Sequence, residues 1–384
     1  MKAFVAIDSF KGCLSTFQAN DAAALGLRQC GLTPEDISLF PVSDGGEGFC
    51  DVVSCYLEGY VRVRKSVHGP SGDFVDASYL ICGQTAYIES ASACGYTLVK
   101  QEDRSPLKTS SFGLGELIAD ALAHGVTKIV IGMGGTATCD GGAGMLQALG
   151  VRFCSDAGLL ADGAPAMLVP LTGMDTGTLN LRNCSFEAWS DTRALFWGES
   201  GAVKVFGAQK GVTPEMSDDA DAWMKSLAAL YGPCDVEGSG AAGGIGGALH
   251  AVLGAEIVSG AECILKLARL KERLMECTDE PAIVLTGEGR LDAQTLIGKL
   301  PAIVAELADE ARESVPDLKV VCLAGKVEWP GTGHPDASVK PFDAVAQITP
   351  DGTSLEEALK TDVAAGNLSF TVKEIFSYED NIIG

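Results

Sequence analysis

Four short stretches pair acidic side chains with a cation or with tight glycines, a combination that handles phosphate and metal together. Asp8-Ser9-Phe10-Lys11-Gly12 follows the apolar run 3–7, and Gly287-Glu288-Gly289-Arg290-Leu291-Asp292 follows the apolar run 282–285. Between them, residues 132–142 read GMGGTATCDGG, after the apolar run 128–131 and ahead of a helical pattern. That is the arrangement of an anion cradle built from backbone amides. The fourth stretch is Asp44-Gly45-Gly46-Glu47-Gly48. One such stretch is weak evidence, and the four together point to phosphoryl transfer.

Within 287–292 the glycines allow a tight turn that faces Glu288, Asp292 and Arg290 into one crevice. A carboxylate pair can hold magnesium through oxygen ligands, and an arginine can clamp phosphate or carboxylate through two parallel hydrogen bonds. A charged turn with an internal ion pair is the plainer alternative. Asp8 and Lys11 stand three residues apart just before a helix, so Lys11 and the helix amino end can share an anion, unless Asp8 is only a cap. No Walker-type Gly-x-x-x-x-Gly-Lys-Ser/Thr spacing is present. For Asp44 and Glu47, metal binding and helix capping are equally open.

Gly134, Gly135, Thr136 and Asp140 expose amides and hydroxyls for ligand contact. Asp191 ends the apolar run 186–190, where it can accept the proton of an attacking hydroxyl or simply make a turn. Arg193 follows it closely, and Lys210, within VFGAQKG at 205–211, is the candidate cation for the site. A cysteine or serine hydrolase fares badly: Cys13 and Cys139 lie in the loops, but no histidine is near them and no Gly-x-Ser-x-Gly elbow occurs.

The elements that must position these residues alternate between strand and helix. Strands are expected at Lys2–Ile7 and 37–40, with helices at Thr16–Gln29 and 49–57. From 61 to 88 the pattern changes to antiparallel strands joined at Gly69-Pro70 and 82–84. Alternation resumes with a helix at 114–123, a strand at 128–131, a helix at 144–149 and a strand at 186–190. The glycine-rich stretch 238–247 then enters a helix. Strands 282–285, 319–323 and 344–348 follow, with helices at Leu300–Ala311 and from Ser354 and Asn367. The two early strands and the last three predict one five-stranded parallel sheet, in residues 1–65 and 256–384. A second α/β domain with a mixed sheet, residues 66–255, is inserted into it. Loops at the carboxyl ends of such strands bind ligands.

A chain of 384 residues exceeds one ordinary core, which agrees with two domains. Its formal charge of -23 repels nucleic acid phosphates and anionic lipid headgroups, so neither nucleic acid nor membrane is expected as a partner. Any anion pocket must therefore concentrate its cations locally, and Lys11, Arg193, Lys210, Arg290, Lys299 and Lys326 all lie in or beside glycine-rich segments. Thirteen scattered cysteines without a Cys-x-x-Cys pair, and four histidines, indicate neither a zinc site nor a disulfide framework. The apolar start is too brief for a signal segment, and a cytoplasmic protein is expected.

Taken together, the motifs resemble the bacterial glycerate kinase family, the type that includes the glycerate 2-kinases. The resemblance runs through DSFKG at 8–12, SDGGEG at 43–48, ESASACG at 89–95 and RSPLKTSSFGLGELI at 104–118. It continues with GMGGTATCDGGAGMLQALG at 132–150, VFGAQKG at 205–211, GSGAAGGIGGAL at 238–249 and TGEGRLDAQTLIGK at 286–299. It implies a flavodoxin-like parallel-sheet domain with an inserted α/β domain, and transfer of the terminal phosphate of ATP to glycerate with magnesium. It also implies an interdomain cleft lined by Asp8, Ser9, Lys11, Asp44, Gly134, Gly135, Thr136, Asp140, Asp191, Lys210, Glu288, Arg290 and Asp292. Cys13, Cys139, Ala208 and the stretch 192–195 depart from the family pattern. The last of these stands beside Asp191 and bears on the acceptor.

The expectation is an ATP-dependent kinase acting on the 2-hydroxyl of D-glycerate. Asp191 serves as base, Lys11 and the amides of 134–136 hold phosphate, and Asp44, Glu288 or Asp292 hold magnesium. Arg290 or Lys210 takes the substrate carboxylate. A kinase for a related hydroxy-acid or for the 3-hydroxyl, and a non-catalytic hydroxy-acid sensor, are the alternatives. A homo-oligomer is left open.

Overall fold

Residues 3–7 are apolar without alternation, the pattern of a strand covered on both faces, and they form an inner strand of a parallel sheet. The computed structural model describes residues 1–46, 48–277, 280–292, 295, 298–328 and 340–377, so the expectation for Glu47 lies outside the described residues. Along these residues run β1 (Lys2–Ile7), β2 (Ile37–Leu39), β3 (Val61–His68), β4 (Phe74–Cys82), β5 (Thr85–Glu89), β6 (Lys128–Gly132) and β7 (Arg152–Ser155). They are followed by β8 (Gly158–Leu159), β9 (Leu171–Asp175), β10 (Ser185–Trp189), β11 (Glu256–Val258), β12 (Ala282–Leu291), β13 (Leu318–Val327) and β14 (Ala344–Gln347). The chain divides into two compact units, Met1–Ser43 with Ala261–Gly384, and Asp44–Gly260.

In the first unit the sheet order is β14-β13-β12-β1-β2 and every pairing is parallel. This is the flavodoxin-like order, with its switch point between β1 and β12. Ser15 and Gln18 cap the helix Thr16–Gln29 reciprocally. Thr16 Oγ1 and Asn20 Nδ2 donate to the carbonyl of Ile7 at 2.8 and 3.2 Å, which fixes both ends of the Asp8 loop.

The expected loop 287–292 is mostly strand. A Cβ at Gly287 would lie 2.0 Å from Leu323 O, and one at Gly325 would lie 2.5 Å from Gly289 O. Glycine at both positions lets β12 and β13 stay paired, so β12 runs on to Leu291. Period-two alternation then sets Glu288, Arg290 and Asp292 on one side.

The second unit has the sheet order β11-β10-β6-β5-β4-β3. Its strands β5, β6, β10 and β11 are parallel, and β3-β4-β5 form the antiparallel meander expected from 61–88. A separate small sheet, β8-β7-β9, was not anticipated. The unit boundaries fall at 43/44 and 260/261, in place of the expected 65/66 and 255/256. Three contacts explain the shift: β3 pairs with β4 along its whole length, β11 pairs with β10, and Phe49 packs edge-on to Trp189 with ring centroids 5.7 Å apart. The helix Ala241–Leu253 begins with Ala242, Gly243 and Gly244 at positive φ. A Cβ at Gly243 would lie 2.1 Å from Thr138 O, so the glycines there serve close backbone packing.

Candidate active site

In the second unit, β6 and β10 are neighbours with Gly132 opposite Trp189, so the loops after them emerge side by side. Three backbone bonds anchor the 133–137 segment: Met133 N–H donates to Trp189 O at 3.0 Å, Tyr96 N–H to Gly135 O at 2.9 Å, and Ala137 N–H to Cys94 O at 2.7 Å. Between these ties, the N–H groups of Gly135 and Thr136 make no hydrogen bond to the described residues. Adjacent amides on a loop held at both ends form an anion-binding concavity.

Asp44-Gly45-Gly46 crosses the same sheet edge. A Cβ at Gly45 would lie 2.5 Å from Trp189 O, and one at Gly134 would lie 2.6 Å from Gly46 Cα, so both approaches require glycine. Asp44 Oδ1 accepts from Gly46 N–H at 3.0 Å. Asp191 stands two residues beyond β10, and its Oδ1 accepts from Ser259 Oγ, the first residue after β11, at 2.7 Å.

Lys210 and Asp140 are buried supports of this edge. The Lys210 ammonium donates to Thr136 O, Thr136 Oγ1 and Thr138 O at 2.7, 2.8 and 2.9 Å, and burial pulls its pKa down to about 8. The Asp140 carboxylate accepts from Ser111 N–H, Ser111 Oγ, Gly142 N–H and Gly144 N–H at 2.8, 2.9, 3.2 and 3.2 Å. It therefore occupies the amino end of the helix Ala143–Ala148, where the sequence suggests a cradle for an external anion.

The first unit gathers its own set at the carboxyl ends of β1 and β12, the switch point of its sheet. The Asp8 loop lies against β12, since a Cβ at Gly289 would meet Phe10 Cα at 3.7 Å and Lys11 N at 3.9 Å. Asp8 Oδ1 accepts from Ser9 N–H at 2.7 Å. Glu288 Oε1 accepts from Thr295 Oγ1 at 2.5 Å, and Lys299 Nζ stands 3.4 Å from Glu288 Oε2 and 3.7 Å from Asp292 Oδ1. Burial raises the Glu288 carboxyl above its ordinary range, against the opposing pull of Thr295 and Lys299. Arg290 is paired with Glu328 and stands 3.8 Å from Asp292.

The predicted residues thus fall into two groups: Asp8, Ser9, Lys11, Glu288, Arg290 and Asp292 in one unit, and Asp44, Gly134, Gly135, Thr136 and Asp191 in the other, with Asp140 and Lys210 supporting the second group. Sequence reasoning missed Ser259, because the three-residue β11 is too short to show a period. It named Lys299 as a cation without its carboxylate partners. The cysteine-nucleophile alternative loses ground here, since burial pushes the Cys139 thiol up to about 11 and raises those of Cys94 and Cys13 as well.

These features define a two-unit α/β protein that carries acidic, cationic and amide-rich loops at its strand ends. The chain belongs to the glycerate kinase family, which it matches over residues 3–379, and is a transferase of the kinase class. It is 40% identical over 371 residues to the glycerate 2-kinase of Escherichia coli strain K12, covering 94% of this chain and 93% of that one. It is 36% identical over 387 residues to the glycerate kinase of Bacillus subtilis strain 168, covering 98% and 97%. A solved structure from Salmonella typhimurium LT2, described as a candidate glycerate kinase 2, superimposes with a TM-score of 0.74 at 36% identity, covering 98% of this chain and 97% of that one. Among the described residues no helix is long and apolar enough to cross a membrane.

Proposed function

We propose that the protein transfers the terminal phosphate of ATP to the 2-hydroxyl of D-glycerate. The observation that carries this reading is the second unit's sheet edge, where the two unengaged amides of Gly135 and Thr136 stand in the loop after β6, the strand next to the β10 that leads to Asp191. The family match supports the reaction class, and the E. coli relative's name supports the 2-hydroxyl.

In the reaction the acceptor oxygen forms its bond to the γ-phosphorus as the bond to the β-bridging oxygen breaks. The acceptor proton passes to the Asp191 carboxylate, and ADP leaves. The amides of Gly135 and Thr136 and the cations Lys11 and Arg290 hold phosphate oxygens, with Asp8 and Ser9 beside them in the nucleotide site. This requires both units to act on one triphosphate, in a cleft whose closure excludes water. Asp140 and Lys210 act through the loop they support.

Magnesium fits the donor set. Among the described residues no three His, Cys, Asp or Glu side chains converge, while carboxylates occur as the Glu288 and Asp292 pair and as Asp44. Magnesium is held in this way, by one or two carboxylates together with substrate phosphates. When bound it neutralises phosphate charge.

Incubation with ATP, magnesium and D-glycerate, followed by phosphorus NMR, is expected to show 2-phosphoglycerate. A 3-phosphate overturns the regiochemistry, and transfer to no three-carbon acid favours the sensor. Ser259→Ala is expected to lower kcat about tenfold, because the hydroxyl that holds the Asp191 carboxylate in place is lost. The KM for ATP should stay within about twofold. An unchanged kcat removes Ser259 from this role.

A further inference from the structure

We infer that Arg193 binds the carboxylate of the acceptor, an assignment that rests on the kinase reading above. The two cations suggested by sequence for that carboxylate are otherwise committed. Lys210 is 2% exposed with three loop acceptors on its ammonium, and Arg290, beside Glu328 and Asp292, is assigned above to phosphate oxygens. Arg193 is exposed and makes no hydrogen bond or ion pair to the described residues. In a chain with 51 acidic residues against 28 lysines and arginines, its guanidinium is nonetheless left available at this sheet edge.

Its position is specific. In the ten residues that follow each of β5, β6 and β10, Arg193 is the one arginine or lysine. The backbone on either side of it is held in place: Thr192 N–H donates to Ser190 Oγ at 3.4 Å, Ala194 N–H to Thr192 Oγ1 at 3.2 Å, and Gly240 N–H to Ala194 O at 2.9 Å. A guanidinium carried on a fixed Cα loses less freedom when it closes on a ligand.

The acceptor's chemistry also matches the spacing. In a 2-hydroxy acid the attacking oxygen and the carboxylate sit on adjacent carbons. The group that takes the hydroxyl proton and the group that holds the carboxylate must therefore lie close together. Asp191 and Arg193 are two residues apart on one short loop, and the planar guanidinium suits two parallel bonds to a carboxylate.

The test is steady-state kinetics of wild type, Arg193→Met and Arg193→Lys with ATP and either D-glycerate or D-glyceramide, which replaces the carboxylate with a neutral amide. Arg193→Met is expected to raise the KM for glycerate about 10- to 100-fold, the worth of hydrogen bonds to a charged group. The KM for ATP should stay within about twofold, and the preference for glycerate over glyceramide should shrink by the same factor as the glycerate KM rises. Arg193→Lys should recover part of the loss. A glycerate KM unchanged in Arg193→Met, or equal losses with both acceptors, overturns the carboxylate assignment alone. Wild-type protein that phosphorylates no three-carbon acid overturns the kinase reading beneath it.

Discussion

Asp191→Asn is expected to lower kcat for glycerate phosphorylation by about 10² to 10⁴, the range for loss of a general base. The amide is nearly the same size as the carboxylate and keeps an oxygen that can accept from Ser259 Oγ, whose bond to Asp191 Oδ1 is 2.7 Å. Geometry at the end of β10 should therefore survive while basicity is lost. KM for glycerate and the melting temperature should change little, which separates a proton acceptor from a residue that only binds or only folds. Near-normal turnover in D191N would remove Asp191 from the chemistry and leave the unengaged amides of Gly135 and Thr136 without a partner base.

The architecture was legible where a local signal agreed with the tertiary one. The strand Lys2–Ile7, ended by Asp8, and the helix Thr16–Gln29 were read with the boundaries the structure shows. The five-stranded parallel sheet followed from those elements and the three late apolar runs. What failed was any feature decided by contacts distant in sequence. Polar, glycine-rich 287–291 reads as a loop, and it is a strand because Gly287 and Gly325 let β13 come close. Asp44 lies five residues beyond β2, yet it belongs to the second unit, where Gly45 fits against Trp189. The same limit applies to roles within the site. Lys210 and Asp140 sit in ligand-like motifs, and their burial and full sets of partners cannot be seen in one dimension.

Lys210→Met is expected to lower kcat about a hundredfold, the effect of a misplacement near 1 Å in a group that orients substrate. The ammonium ties together Thr136 O, Thr136 Oγ1 and Thr138 O, and so sets where the amides of Gly135 and Thr136 point. Stability should change less than activity, since two opposing effects meet. Carbonyls left unpaired cost about 1 to 3 kcal/mol each, while removing a buried charge relieves a desolvation penalty. pH separates the two. The folded pKa of about 8 lies below the ordinary 10.5, so between these values the unfolded chain binds more protons than the folded one. Wild-type stability therefore gains on the variant as pH rises from about 8 to 10.5, and loses that gain as pH falls through 8. Melting temperatures of both proteins at pH 7, 9 and 10.5 should show the gap moving in favour of wild type. A constant gap would mean that the ammonium titrates as a solvated lysine does. A variant with normal kcat would mean that the 134–138 loop holds its shape without it.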